Sequence, residues 1–272
     1  VPYPDQPVKG FFFLGSHGGC PGADNRPWAM NDSLWHRFAR HWGFGCMATS
    51  KMCGYEYEMK NTNLLRTAIQ VMADVGDHPE IANVPLIPWG GSNSASTGYS
   101  LVNLMPEKIL CAWCNVPAAF NPGTPTDGGI EVPAVWSTGE DDFNRDRLPP
   151  VVANARGGGA KWAYVEVQGM GHEDFRVYHV ARPFFEKCIA ARYPADFDVT
   201  SGPVPLNPID ESTGWLGMDD WRQGLIDVHA YDEFPGTKSE AQWFIDEDVA
   251  FMARALTNWN NQITVDMYIN GE

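Results

Sequence analysis

The sequence predicts an α/β protein with a mainly parallel sheet and helices on both faces. Three observations carry this: short, nearly continuous apolar runs recur along the chain, segments of helical hydrophobic spacing separate them, and the connections are short. At 272 residues the chain is long enough for one large domain, or a domain with an appendage, around a substantial core.

In chain order, Gly10 to Gly15 is a phenylalanine-rich run bounded by glycines and reads as the first strand. Trp28 to Trp42 sets Leu34, Trp35, Phe38 and Trp42 at helical spacing, so a helix follows. Gly43 to Thr49 is a second buried strand, Thr62 to Val75 a second helix, and Val84 to Trp89 a third strand ending at Gly90 and Gly91. Small residues after Ser92 lead through Tyr99, Leu101, Val102 and Leu104 into a helix that stops near Pro106. Lys108 to Trp113, Val132 to Trp136 and Lys161 to Val167 are further strands. Asp146 to Ala155 is a helix closed by Gly157, Gly158 and Gly159, and Phe175 to Tyr193 is the helix after the last strand.

From Pro194 the composition changes. Pro203, Pro205 and Pro208 punctuate an irregular stretch, so the chain divides into a core over residues 1–193 and a covering segment over residues 194–272. Asp246 is the N-cap expected for a last helix through Val249, Met252, Ala253 and Leu256, and Ile263 to Asn270 alternates as a half-buried strand. Trp215, Trp221 and Trp243 are expected in core and covering packing rather than in a sugar-binding wall, because large aromatics dominate burial anywhere.

The net charge of −15 sets an averaged field that repels phosphate backbones, so no nucleic acid partner is expected. No uninterrupted apolar run approaches the ~20 residues that cross a bilayer, so no membrane span is expected either. The chain opens on Val1-Pro2-Tyr3-Pro4, which suits a mature secreted protein, with a cytoplasmic location as the alternative. Asn31-Asp32-Ser33 fits a glycosylation sequon, a triplet common by chance. Six cysteines are sparse for this length and read as buried thiols with at most one or two bridges. Cys111 and Cys114 have CxxC spacing, but they sit in an apolar segment without a second such pair, so no metal site is assigned.

Reactive groups in a parallel sheet gather just beyond the carboxyl ends of its strands. Those positions hold Ser16-His17-Gly18-Gly19-Cys20, Gly90-Gly91-Ser92-Asn93-Ser94, Gly139-Glu140-Asp141-Asp142 and Gly169-Met170-Gly171-His172. A serine between small residues, after a strand and before a helix, sits on a sharp turn with its hydroxyl in the cleft. Here Ser94 stands where the last glycine of Gly-x-Ser-x-Gly usually stands, and it is still small enough for the turn. Ser92 is thus the candidate nucleophile, His172 the general base and then acid, and Asp142 the carboxylate that orients the imidazole, in the chain order Ser, Asp, His. Asp141 is the alternative acid, and Glu140 ranks below both. An oxyanion hole needs two backbone N–H donors; Asn93, next after the nucleophile, supplies one and Gly19 of the first glycine loop is the candidate for the other. His17 shapes that loop and is given no proton-transfer role.

With these residues in place the chain resembles the α/β-hydrolase superfamily. Gly90-Gly91-Ser92-Asn93-Ser94, His17-Gly18-Gly19 and Met105-Pro106-Glu107-Lys108 are similar to the esterases grouped with polyhydroxyalkanoate depolymerases and feruloyl or acetylxylan esterases, over about residues 9 to 193. The resemblance implies a serine esterase that forms an acyl-enzyme on Ser92 and needs no metal or organic cofactor, acting on a small or polymer-linked ester. About nine residues precede the first strand, so the sheet is expected to be shortened at its N-terminal edge. A serine peptidase of the same fold, or a binding protein that retains it, are the alternatives. The full Ser92, Asp142 and His172 set and the absence of any recognisable peptide-binding domain rank them lower.

Overall fold

The structure, a computed structural model, describes residues 6–15, 33–48, 62–117, 124–172, 177–220 and 224–257. The apolar runs become strands β1 (Phe11–Gly15), β2 (Gly45–Met47), β3 (Leu86–Ser92), β4 (Ala112–Pro117), β5 (Ala134–Gly139) and β6 (Trp162–Val167). They pair in the order β2-β1-β3-β4-β5-β6, every neighbour parallel. The winding reverses between β1 and β3, and it is at such a reversal, beyond the carboxyl ends of the strands, that open α/β sheets bind their ligands.

Period-two alternation sorts the strand side chains to two faces. Phe12, Leu14, Ile87, Trp89, Trp113, Val135 and Val165 join one buried cluster with helices α1 (Ser33–His41) and α6 (Tyr178–Arg192). Phe11, Phe13, Leu86, Ala112, Ala134, Trp136 and Trp162 join the other, with α2 (Asn63–Val75), α3 (Asn93–Leu104) and α5 (Pro149–Gly157). A short α4 (Asp127–Ile130) precedes β5. Both faces are buried, which is why these strands read as apolar runs rather than as alternating ones. No helix among the described residues is long and apolar enough to cross a membrane.

Several element boundaries differ from the sequence reading by a few residues, and two of the shifts fall at prolines. β4 starts at Ala112 rather than Lys108, because Pro106–Lys108 form a 3₁₀ turn and Ile109 makes only an isolated bridge to Leu86. α5 starts at Pro149 rather than Asp146: prolines at 149 and 150 suit the first helical turn, where no N–H is missed, and Arg145–Arg147 form a separate turn. The start of the first helix at 28–32, the sequon residues Asn31 and Asp32, Trp221 and the alternating segment 263–270 lie outside the described residues.

The larger difference is in the tail. After the proline-punctuated stretch, where the sequence reading gave no strand, lies an antiparallel sheet of β7 (Trp215–Asp220), β8 (Gly224–Ala230) and β9 (Gln242–Phe244), in the order β8-β7-β9. Leu216, Leu225, Val228, Trp243 and Phe244 enter the buried cluster that α6 and the central sheet share, along with Val249 and Ala253 of α7 (Glu247–Thr257). Gln242 Oε1 accepts the Tyr164 N–H at 2.6 Å, so a side chain of the tail covers an amide on the outer edge of β6. Two buried arginines complete the fastening. Arg156 donates to the carbonyls of Ala160, Lys238 and Ala241 and pairs with Glu211, and Arg192 donates to those of Ile109, Leu110 and Asn207. Asp246 accepts the Val249 N–H at 3.0 Å at the head of α7, the capping bond its sequence position implies.

Candidate active site

At the carboxyl end of β3 the chain turns from strand to helix within one residue. Ser92 has φ 57° and ψ −123°, a conformation sparsely used by non-glycine residues, and α3 begins at Asn93. The ladder between β3 and β4 shifts register between Gly91, opposite Asn115, and Ser92, opposite Pro117, so the strand is bulged where it turns into the helix. Gly98, one turn and a half along α3, lies where a Cβ would fall 2.4 Å from Cys114 Sγ, so the helix sits close on β4 and its first turn is held at the sheet end.

Two and three strands away, β5 and β6 end in loops that lock together. Glu140 N–H donates to Val167 O at 3.0 Å, Asp141 N–H to Met170 O at 2.9 Å, and Gly169 N–H to Glu140 Oε2 at 2.9 Å. This brings Asp142 and His172 face to face. Asp142 Oδ2 lies 3.1 Å from His172 Nδ1, and His172 Nε2 lies 3.1 Å from Ser92 Oγ. The other carboxylate oxygen of Asp142 accepts the Asn144 N–H at 2.8 Å, and Asn144 Nδ2 donates to Pro117 O at 3.1 Å, tying the acid loop to β4. The Asp142 side chain is 0% exposed and that of His172 20%, so the carboxylate is dry while the imidazole borders solvent.

Of the residues singled out in the sequence, Ser92, Asp142 and His172 are brought together in one hydrogen-bonded row. Asp142 and not Asp141 meets the imidazole; Asp141 is exposed. Asn93 stands directly after Ser92 at the first position of α3, and Gly19 lies outside the described residues with the rest of its loop. Cys111 and Cys114 are both buried, but Cys111 belongs to the cluster on the α6 face and Cys114 to that on the α3 face. Burial pushes the Cys114 thiol well above its ordinary range, which leaves it unreactive. Among the described residues no three His, Cys, Asp or Glu side chains group as metal ligands.

Sequence reasoning passed over several supports of this row. Trp113 Nε1 donates to Ser137 Oγ at 2.9 Å and Ser137 Oγ to Asn115 Oδ1 at 2.8 Å, a buried polar line under the strand ends with Asn115 opposite Gly91 in the β3–β4 register. Phe143 lies over the imidazole, ring centroids 4.6 Å apart and planes 30° off parallel. An apolar residue inside the polar run Glu140-Asp141-Asp142-Phe143-Asn144-Arg145 is the signal that could have found it.

Behind the acid loop, Glu166 accepts the Tyr164 hydroxyl at 3.2 Å, and Tyr164 Oη lies 2.6 Å from Thr138 Oγ1. Burial holds the Glu166 carboxyl above its ordinary range, against the hydrogen bond from Tyr164 and the charge of Arg145, which pull it down. An acid whose folded pKa is raised contributes stability that is present below the unfolded pKa and lost as pH rises through the folded one. Glu166→Gln is therefore expected to raise Tm at pH 7, and the gain should vanish near pH 4, where the parent carboxyl is largely protonated. Calorimetry at the two pH values checks both halves.

A six-stranded parallel sheet with a serine turn after β3 and acid and histidine loops after β5 and β6 has the architecture of an α/β-hydrolase, and the chain has that fold. Among solved structures it is similar to esterase PE8, at 14% identity and a TM-score of 0.50, covering 69% of this chain and 96% of that one. It also matches SOBER1 of Arabidopsis thaliana (16% identity, TM-score 0.41, 66% of this chain and 98% of that one). A third match is the feruloyl esterase module of Clostridium thermocellum (10% identity, TM-score 0.40, 62% and 73%). No family model matches the chain, and no curated protein matches it in sequence.

Proposed function

We propose that this chain is a serine hydrolase that cleaves carboxylic esters through an acyl-enzyme. The observation that carries the reading is the row Ser92 Oγ, His172 Nε2, His172 Nδ1, Asp142 Oδ2, with 3.1 Å at each of its two hydrogen bonds and a strained backbone under the serine. The solved structure with a TM-score of 0.50 is named an esterase, which agrees with this reading.

In the first half-reaction Ser92 Oγ attacks the ester carbonyl as His172 Nε2 takes its proton. The imidazolium then gives that proton to the departing alcohol, leaving the acyl group on Ser92. A water enters, His172 removes its proton, and collapse of the second tetrahedral adduct frees the acid and restores the serine hydroxyl. Asp142 keeps Nδ1 protonated, so that Nε2 is the accepting nitrogen, and offsets the imidazolium charge in a dry setting. The Asn93 N–H, at the head of α3, and the Gly19 N–H are the proposed donors to the oxyanion. The substrate is a carboxylic ester, small or polymer-linked, of aryl, plant cell-wall or polyester type.

A fluorophosphonate probe is expected to leave one phosphonyl adduct, located by mass spectrometry on the peptide that contains Ser92, and to abolish turnover of p-nitrophenyl acetate. Folded protein that takes no label and hydrolyses no ester would overturn the reading.

A further inference from the structure

Phe143 is the one phenylalanine among the exposed large hydrophobics of the described residues, with 78% of its surface open. It follows Asp142 directly, and one side of its ring lies against the His172 imidazole at 4.6 Å between centroids. It is not anchored in either buried cluster, so what holds it is the loop beneath it. That loop is fixed on both sides of the ring, by the Asn144 N–H on Asp142 Oδ1 and by Asn144 Nδ2 on Pro117 O. An apolar ring is thus carried on a fastened loop, in water, stacked on the imidazole that moves the proton.

The reaction geometry says which part of an ester would meet it. When the tetrahedral adduct collapses, the alcohol oxygen must lie within hydrogen-bond reach of His172 Nε2 to receive its proton. The acyl carbon is meanwhile bound to Ser92 Oγ, 3.1 Å from that nitrogen in the free protein. The group attached to the alcohol oxygen therefore leaves past the imidazole and the ring stacked on it, whereas the acyl chain is fixed at the serine. An aromatic or broad apolar alcohol can cover the open surface of Phe143 as it is held for protonation. A one- or two-carbon alcohol cannot.

We propose that Phe143 is the platform for the alcohol moiety of the substrate and selects esters of aromatic alcohols over those of short alkyl alcohols. This rests on the acyl-transfer reading of Ser92 and His172 and adds the side of the ester on which selectivity is exerted. Ring stacking, with the desolvation that accompanies it, corresponds to a preference of about five- to tenfold.

The test uses two acetates, benzyl and ethyl, whose alcohols have similar basicity and which form the same acetyl-enzyme, so kcat/KM compares the acylation steps alone. The parent is expected to favour benzyl acetate. The benzyl-to-ethyl ratio of kcat/KM should fall about five- to tenfold in Phe143→Ala, fall partly in Phe143→Leu and be kept in Phe143→Tyr. A ratio unchanged in Phe143→Ala, whether both rates drop together or neither moves, overturns the proposal and leaves the ring as a prop for His172. If the alanine variant does not fold, equal ratios in the leucine and tyrosine variants overturn it instead. Parent protein that is labelled by fluorophosphonate on Ser92 but shows no benzyl preference overturns this proposal alone; folded parent that neither labels nor hydrolyses either acetate overturns both readings.

Discussion

Replacing Asp142 by asparagine is expected to lower ester turnover about ten-thousandfold while leaving the fold in place. The asparagine carbonyl can still accept the Asn144 N–H that Asp142 Oδ1 takes at 2.8 Å, so the loop keeps its anchor. The amide then turns its NH₂ toward His172 Nδ1. That nitrogen must become the acceptor, the proton moves to Nε2, and the imidazole presents a donor to Ser92 Oγ when the reaction requires an acceptor. The neighbouring substitution Asp141→Asn separates this from a general loss of acidic charge. Asp141 is exposed and its contribution to the loop is its backbone N–H on Met170 O, which the substitution keeps, so turnover should stay within about twofold of the parent. The two kcat values with p-nitrophenyl acetate, measured on protein of equal Tm, decide between the acids. Equal losses at 141 and 142 would remove Asp142 from the orienting role.

Spacing after Gly139 puts Asp142 ahead of Asp141 but does not separate the two acids by itself. Residues three and two beyond Gly139 differ by one step of a turn, and which carboxylate points at the imidazole depends on the bonds that lock the β5 and β6 loops together, from Glu140 to Val167 and Gly169 and from Asp141 to Met170. Those bonds join positions some thirty residues apart and leave no mark in a local pattern. Ser92 is different. Its strained φ follows from local chemistry: glycines before it, a serine where a larger side chain would crowd the turn, and a helix starting at the next residue. His172 lies between, placed by a strand end that is legible and aimed by a carboxylate loop that is not.

For the central sheet, burial on both faces writes each strand as an apolar run, so the six strands are visible in the sequence and only their ends slip, as before β4, where Pro106 begins a separate turn. The tail carries no such signal. β7 buries Leu216 and Gly217 yet ends in Asp219-Asp220 with a register shift after Met218, and β9 is only three residues long. These strands exist because they close over the α6 face and the edge of β6, an arrangement made by contacts such as Gln242 on Tyr164 that span 78 residues. Gly214 shows the same non-local control: its missing Cβ makes room for the Trp243 indole, which would otherwise meet it at 2.3 Å.

The join between the acid and histidine loops has one point with no slack. At Gly139 a Cβ would fall 1.9 Å from Met170 O and 2.5 Å from Gly171 O, and both neighbours are backbone, which cannot rotate away as a flexible side chain could. Gly139→Ala therefore has to push the β6 loop outward, and that loop carries His172 while the residue itself leads to Asp142. Overpacking of this kind costs about 3 kcal/mol, enough to lower Tm by roughly 5–10 °C in a chain of this size. The larger effect is on catalysis, since a displacement of about 1 Å between reacting groups costs on the order of a hundredfold; kcat/KM for p-nitrophenyl acetate should fall by at least that factor in folded protein at 25 °C. Gly157→Ala is the control, because nothing lies within 4 Å of the Cβ that would be added at the end of α5, and it should leave both quantities near the parent values. A Gly139→Ala protein with parental Tm and kcat/KM would mean that the two loops are not held against each other in solution, and the close approach of Asp142 to His172 would need another cause.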